Sequence, residues 1–139
     1  MARTSFNGPV ASANGFIGGH QVTPANAVNA TATATAAQVA SGYITSTSVA
    51  GTNITLPTGT ALGAEIGAVQ GTSLDLYIDN TAGASAVAVV ANTNAVLSSA
   101  GVDAATSFGD LSVAAGATGI GRFTIMFSSP TAYVFTRTA

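Results

Sequence analysis

The sequence of 139 residues contains no cysteine, no tryptophan and no lysine, and charged side chains make up only 6% of it. Without cysteine the chain has neither a disulfide framework nor a thiolate nucleophile. Its cations are Arg3, Arg122 and Arg137, which are too few and too scattered to neutralise a phosphate backbone. We therefore expect neither nucleic acid nor an anionic membrane surface as a partner.

Long hydrophobic runs are also missing. The longest run of small apolar residues, Ala82 to Ala91, is about half of the ~20 residues that a membrane-spanning helix requires. The first residues lack the apolar segment of a secretory signal peptide. The sequence predicts a protein without a membrane span or membrane partner.

Small residues dominate what is present: Ala, Thr, Gly and Ser account for 78 of the 139 residues. Hydrophobic residues make up 47% and the mean hydropathy is +0.49, whereas disordered chains combine low hydrophobicity with high net charge. A chain of this length can bury roughly two thirds of its surface on folding. The composition predicts one folded domain with a real core.

The first 28 residues differ from the rest because turn-forming pairs interrupt them. Gly8-Pro9, Asn14-Gly15, Gly18-Gly19 and Pro24 leave no room for a regular element. We interpret residues 1–28 as an extended N-terminal arm and residues 29–139 as the folded domain.

Strand patterns fill this domain. Thr31, Thr33 and Thr35 alternate with alanine, which favours a strand, although a low-complexity linker is the alternative. Further runs rich in β-branched and aromatic residues are bounded by turn residues. They are Gly42–Val49, Asn53–Leu56, Ala64–Val69, Ser73–Asp79, Ser85–Ala91, Ala95–Ser98, Leu111–Ala114, Gly119–Ser128 and Tyr133–Thr138.

Alternating apolar and polar residues in these runs are typical of half-buried antiparallel strands. Ala100–Phe108 is the one segment that favours a helical turn. The fold class predicted from this pattern is all-β, a β-sandwich that is most simply a jelly roll.

Residues that could carry chemistry are few. His20 is the only histidine, and a lone imidazole without nearby carboxylates does not make a metal site. Asp75 and Asp79 share one strand face at roughly 13 Å, which is too far apart for a glycosidase pair. Asp103 and Asp110 lack the spacing of a calcium loop. We predict no metal and no cofactor.

Nucleophilic catalysis and phosphate binding also lack their motifs. No Gly-x-Ser-x-Gly elbow is present, and the glycine-rich segment Gly116–Gly121 leads into a strand rather than into a helix. No catalytic residue is predicted, so we expect a protein that is not an enzyme.

Three tyrosines offer the strongest sign of a small-molecule site. Tyr43, Tyr77 and Tyr133 could form an aromatic platform for sugars. In the alternative interpretation, Tyr133 and Phe135 belong to the core or edge of the last strand.

Two parts of the chain resemble tailed-bacteriophage head proteins. Ala2–Val10 with Asn14–Gly18 resembles the N-termini of small proteins encoded among phage head genes. The remainder is similar to the β-sandwich of capsid cement or decoration proteins, among them the jelly-roll cement proteins of podoviruses. The stretches that carry this similarity are Ile54–Pro57, Leu76–Asn80, Val113–Gly116 and the closing hairpin from Phe123 to Phe135.

The resemblance implies a virion structural protein on the outer capsid surface that bridges adjacent major capsid protein subunits. It also implies self-association, with a homodimer favoured over a homotrimer. We expect Phe6, Phe16 and Ile17 to supply apolar contacts of the arm with the capsid, and Arg3 to pair with an acidic group there.

The alternative function is a receptor-binding or fibre-tip module that recognises a host glycan through exposed tyrosines. A bacterial adhesion subunit is disfavoured because no signal peptide is found.

Overall fold

The computed structural model describes residues 26–97 and 111–138. Most elements in these ranges are short strands. The strands are β1 (Ala32–Thr33), β2 (Tyr43–Thr45), β3 (Thr52–Thr55), β4 (Ser73–Asp79), β5 (Val87–Val90), β6 (Ala95–Leu97), β7 (Ser112–Val113), β8 (Ile120–Ser129) and β9 (Ala132–Arg137). The helices are α1 (Ala36–Ala40), α2 (Gly59–Ile66) and a 3-10 turn at Gly116–Thr118.

The strands form two sheets. Sheet A has five strands in the order β2-β4-β8-β9-β6, and sheet B has four in the order β1-β3-β5-β7. The long antiparallel pairs β4–β8 and β8–β9 form the centre of sheet A, with Leu76 opposite Phe123 and Ile125 opposite Phe135.

Both sheets contribute to one hydrophobic core. Along β8 the side chains alternate between exposed and buried from Ile120 to Phe127, the period-two pattern of a half-buried strand. The fully buried large side chains come from both sheets and both helices: Val39, Ile44, Ile54, Leu56, Leu62, Leu76, Ile78, Val87, Phe123, Ile125, Tyr133 and Phe135. The fold is mainly β, which confirms the strand-rich character of the predicted all-β class, while α1 and α2 depart from it.

The pairing departs from an antiparallel jelly roll. Four of the seven strand pairs in the described residues are parallel, namely β1–β3, β2–β4, β3–β5 and β6–β9. Single strands do not reveal their partners, so alternation alone could not distinguish a mixed sheet from an antiparallel one. The architecture is two mixed sheets over a shared core.

The predicted strand Ala64–Val69 is wrong, because helix α2 occupies its first half. Thr58 caps this helix by accepting a hydrogen bond from the Ala61 amide at 3.2 Å, and Gly67 ends it in a left-handed conformation with φ of 61°. The β-branched and apolar residues of this segment favour a strand, but the caps at Thr58 and Gly67 define a helix.

The Ala-Thr alternation forms much less strand than predicted. Strand β1 covers only Ala32–Thr33, and helix α1 begins directly after Thr35. Thr35 and Gln38 form a capping box in which each side chain accepts from the other residue's main-chain amide. The helix starts where threonine no longer separates the alanines.

Residues 26–28 extend sheet A beyond β2. The Val28 amide donates to the Thr45 carbonyl at 2.9 Å, and the Thr45 amide donates to the Asn26 carbonyl at 3.2 Å. Part of the predicted arm thus pairs with the sheet edge. The rest of the arm and the helical turn predicted at Ala100–Phe108 lie outside the described residues.

Candidate binding face

The outward side of sheet A carries most of the charged side chains in the described part of the chain. Leu76 and Ile78 of β4 are fully buried, so Asp75, Tyr77 and Asp79 point away from the core. We call the group formed by Tyr43, Asp75, Tyr77, Asp79 and Arg122 the tyrosine face. Three of its members are charged, and Glu65 and Arg137 are the other charged residues in the described ranges.

Strand register places three members of this face in one row. Tyr43 of β2 is the partner of Tyr77 in β4, and Tyr77 is the partner of Arg122 in β8. Neighbouring strands lie about 4.8 Å apart, so the row spans roughly 10 Å. The Arg122 guanidinium carbon lies 5.9 Å from the centroid of the Tyr77 ring, within the range of a cation–π contact. Tyr77 remains 40% exposed.

Asp75 is oriented by two donors from β8. Arg122 Nη2 donates to its Oδ2 at 2.6 Å, and the Thr124 hydroxyl donates to its Oδ1 at 2.8 Å. These hydrogen bonds favour the ionised form and lower the pKa of Asp75 below its ordinary value, with Arg122 as the larger cause.

Asp79 is oriented in the same way on the other side of the row. Its Oδ2 accepts from the Tyr43 hydroxyl, and its Oδ1 accepts from the Thr81 amide at 2.9 Å and the Thr81 hydroxyl at 2.7 Å. The hydrogen bond from Tyr43 is the main reason that the pKa of Asp79 is lowered, and the same bond raises the pKa of Tyr43.

The arrangement offers several groups that can bind a ligand. Asp75 and Asp79 have lowered pKa values and are ionised at neutral pH, so both carboxylates are hydrogen-bond acceptors there. The face also offers an exposed aromatic ring and a guanidinium donor.

The predicted three-tyrosine platform contains only two tyrosines. Tyr133 is 1% exposed, donates its hydroxyl to the Pro57 carbonyl at 2.7 Å and packs its ring 5.3 Å from that of Phe127. Burial raises its pKa. The alternative interpretation, that Tyr133 and Phe135 are core residues, is confirmed.

Sequence reasoning missed the contribution of Arg122, Thr124 and Thr81 to this face. Arg122 and Thr124 lie on a strand more than 40 residues away from Asp75 along the chain, and only the β4–β8 register brings them to it. The contact between Thr81 and Asp79 can be predicted from the sequence, since an aspartate followed two residues later by threonine is a common turn arrangement.

Other predicted positions are mostly outside the described ranges. Those positions are the arm residues Arg3, Phe6, Phe16 and Ile17, together with His20, Asp103 and Asp110. The glycine-rich segment forms the 3-10 turn that leads into β8, as its sequence indicated. Within residues 26–97 and 111–138, no group of three or more His, Cys, Asp or Glu side chains could hold a metal ion.

The chain has no match to a protein-family model, to a curated protein or to a solved structure. No helix in the described segments is long and apolar enough to cross a membrane.

Proposed function

We propose that this protein is a virion structural protein, a cement or decoration protein that binds the outer surface of a phage capsid and bridges adjacent major capsid protein subunits. The proposal assigns it no catalytic group and no cofactor. Its interactions are spread over surfaces, which suits a protein that must bind many equivalent seams of a symmetric shell.

The main support for the proposal is that residues 26–28 are held at the edge of sheet A. Asn26 is 6% exposed, and its side-chain amide donates to the Tyr43 carbonyl at 3.0 Å and to the Ser41 hydroxyl. Residues 26–28 are therefore held at the edge of sheet A beside β2. The 25 residues that precede them start from a sheet edge, a position from which a segment can reach a neighbouring subunit and pair with it.

The charge distribution supports the same function. None of the strands of sheet B contains a charged residue. Its outward positions are uncharged, and they comprise Asn53, Thr55, Ala88, Val90 and Ser112. At the β7 edge the Arg137 guanidinium, which comes from sheet A, donates to the Ser112 carbonyl at 2.7 Å. Depletion of charge is the compositional mark of an interface core. We assign this surface, which we call the neutral face, to contact with the shell.

The arm is tested by deleting residues 2–18 and measuring co-sedimentation with capsids of the virus that encodes the chain. We expect shell binding to be lost while the circular dichroism spectrum keeps its β signal, because every strand and helix that the structure describes lies after the deleted residues. A chain in which residues 2–18 are scrambled serves as the control of equal length and composition. Shell binding retained by the deletion variant would contradict the proposed role of Phe6, Phe16, Ile17 and Arg3.

Copy number provides an independent test. Quantitative mass spectrometry of purified particles should give a ratio to the major shell protein within a few-fold of one. A handful of copies per particle would favour the receptor-binding alternative, and absence from the particle would exclude both. Analytical ultracentrifugation of the free protein would then distinguish the expected homodimer from a homotrimer.

A further inference from the structure

We infer that the tyrosine face is a binding site for neutral oligosaccharide, with one pyranose ring stacked on Tyr77 and the hydroxyl groups of this ring and its neighbour bound by Asp75, Asp79 and Arg122. The inference concerns a different surface from the neutral face, and it does not require the protein to be a cement protein.

The tyrosine face has an open shape that suits an extended ligand. The row Tyr43–Tyr77–Arg122 follows the hydrogen-bonding direction of sheet A, so its side chains stand on one pleated surface rather than around a deep pocket. The row is roughly 10 Å long, so a ligand can extend from the Tyr77 ring toward Tyr43 or Arg122 on the neighbouring strands. The apolar side of a pyranose can pack against the exposed part of the Tyr77 ring, which offers a large contact area at little cost in conformational entropy.

The carboxylates of Asp75 and Asp79 are already oriented by hydrogen bonds before a ligand binds. Each carboxylate is held by at least two donors, from Arg122 and Thr124 at Asp75 and from Tyr43 and Thr81 at Asp79. A carboxylate offers about four lone-pair sites, so each group retains acceptor capacity for a ligand hydroxyl. Groups that are held before binding lose less entropy when the ligand arrives.

The net charge of the tyrosine face favours a neutral ligand. Two carboxylates and one guanidinium give a net charge of −1, which repels anionic sugars such as sialic acid and favours neutral ones. A protein partner is a poorer fit because it would bury the Asp75–Arg122 pair, whose side chains are 36% and 44% exposed, and would have to compensate for their lost hydration. Sugar hydroxyl groups replace that water with hydrogen bonds.

The experiment begins with the full-length chain on a glycan microarray that carries neutral oligosaccharides and their sialylated counterparts. The best neutral ligand is then titrated by isothermal calorimetry against the wild type and the variants Tyr77→Ala, Tyr77→Phe and Asp79→Asn. Val49→Ala is the matched control, since Val49 is 84% exposed and lies outside the tyrosine face. Circular dichroism checks that each variant folds.

We expect neutral glycans to bind and sialylated ones to bind more weakly. Tyr77→Ala should weaken binding about tenfold or more, Asp79→Asn should weaken it several-fold, and Tyr77→Phe and Val49→Ala should stay within about threefold of the wild type. Because Tyr77→Phe keeps the stacking surface, its behaviour separates loss of stacking from a general defect in folding.

Two outcomes would overturn the inference: no neutral glycan bound at millimolar concentration by the folded wild type, or binding that Tyr77→Ala leaves unchanged. The same variants are tested for co-sedimentation with capsids. Loss of shell binding in Tyr77→Ala, without sugar binding by the wild type, would identify the face as a protein contact and exclude a sugar site. If the arm deletion leaves shell binding intact while Tyr77→Ala abolishes sugar binding, the proposed arm function fails and the carbohydrate site stands.

Discussion

Asn80 joins the two sheets through its side chain and its main chain. Its side-chain amide donates to the carbonyls of Ser85 at 2.9 Å, Val113 at 3.3 Å and Ala114 at 2.9 Å, which lie in or beside strands of sheet B. Its main-chain amide donates to the Gly119 carbonyl, just before β8 of sheet A. Within the described residues, the Asn80 Oδ1 atom is buried without a hydrogen-bond partner. The hydrogen bonds donated by Nδ2 are therefore the ones that favour burial of this side chain.

Replacing Asn80 should destabilise the fold markedly. We expect Asn80→Ala to lower the free energy of unfolding by about 1–3 kcal/mol, because buried carbonyls lose their donor. Asn80→Asp should cost more, since it directs a carboxylate at the same carbonyl oxygens. Urea unfolding measures both, and Asn53→Ala, at an exposed position, is the control expected within about 0.5 kcal/mol of the wild type. Equal effects of Asn80→Ala and Asn53→Ala would refute this role.

The free energy of unfolding should fall in acid because Asp75 and Asp79 of the tyrosine face become protonated. The pKa values of Asp75 and Asp79 are lower in the folded chain than their ordinary value of 3.8, so their contribution is present above that pH and is lost as the pH falls through the lowered values. Urea-unfolding midpoints between pH 2 and pH 7 should decline below about pH 4. Asp79→Asn should make that decline shallower, and an unchanged slope would contradict the assignment.

At the scale of elements, helix α2 packs its backbone directly on the turn between β8 and β9. Gly59 and Gly63 are four residues apart and lie on one helix face. A Cβ atom at Gly63 would come within 1.9 Å of the Pro130 carbonyl oxygen, and one at Gly59 within 2.3 Å of that of Thr131. Glycine is required at both positions because the helix backbone lies so close to the β8–β9 turn that a side chain does not fit. The sequence alone shows only the Gly-x-x-x-Gly spacing.

Alanine at Gly63 should therefore destabilise the protein, although alanine favours helices. We expect Gly63→Ala to lower the free energy of unfolding by about 2–3 kcal/mol, because the β8–β9 turn must move to admit a methyl group. The control is Gly51→Ala, where nothing lies within 4 Å, and it should be neutral or stabilising by up to about 1 kcal/mol. Thermal or urea unfolding distinguishes the two, and a neutral Gly63→Ala would show that the packing is loose.

The sheet edges of the described chain are short. Strands β1 and β7 at the edges of sheet B have two residues each, β6 has three, and residues 26–28 cover β2. A short edge limits pairing with other chains. Few charges are available to discourage such pairing, so the shortness of these edge strands limits it in the described part of the chain.

At the scale of the whole molecule, the two sheets that share one core present two different surfaces. Sheet B presents the neutral face, and sheet A presents the tyrosine face with most of the charge in the described ranges. This division fits a protein that places its uncharged side against a shell and its polar, aromatic side toward the medium.

A single charge should distinguish the two faces. Ala88→Arg adds a cation to the outward side of β5 and should weaken capsid co-sedimentation at least about tenfold, because an unpaired charge at an interface core must be desolvated. Met126→Arg makes the same change on the outward side of sheet A, where Met126 is 45% exposed, and should leave capsid binding unchanged. If both variants bind equally well, the neutral face is not the contact surface.

The sequence by itself determined the strand-rich class and the inward residues of β4 and β8, since a period of two depends only on local order and hydrophobicity. Tertiary structure alone decided which strands pair in parallel and that Arg122 meets Asp75. These features depend on register between segments far apart in the chain, and side-chain alternation is the same whichever partner a strand takes.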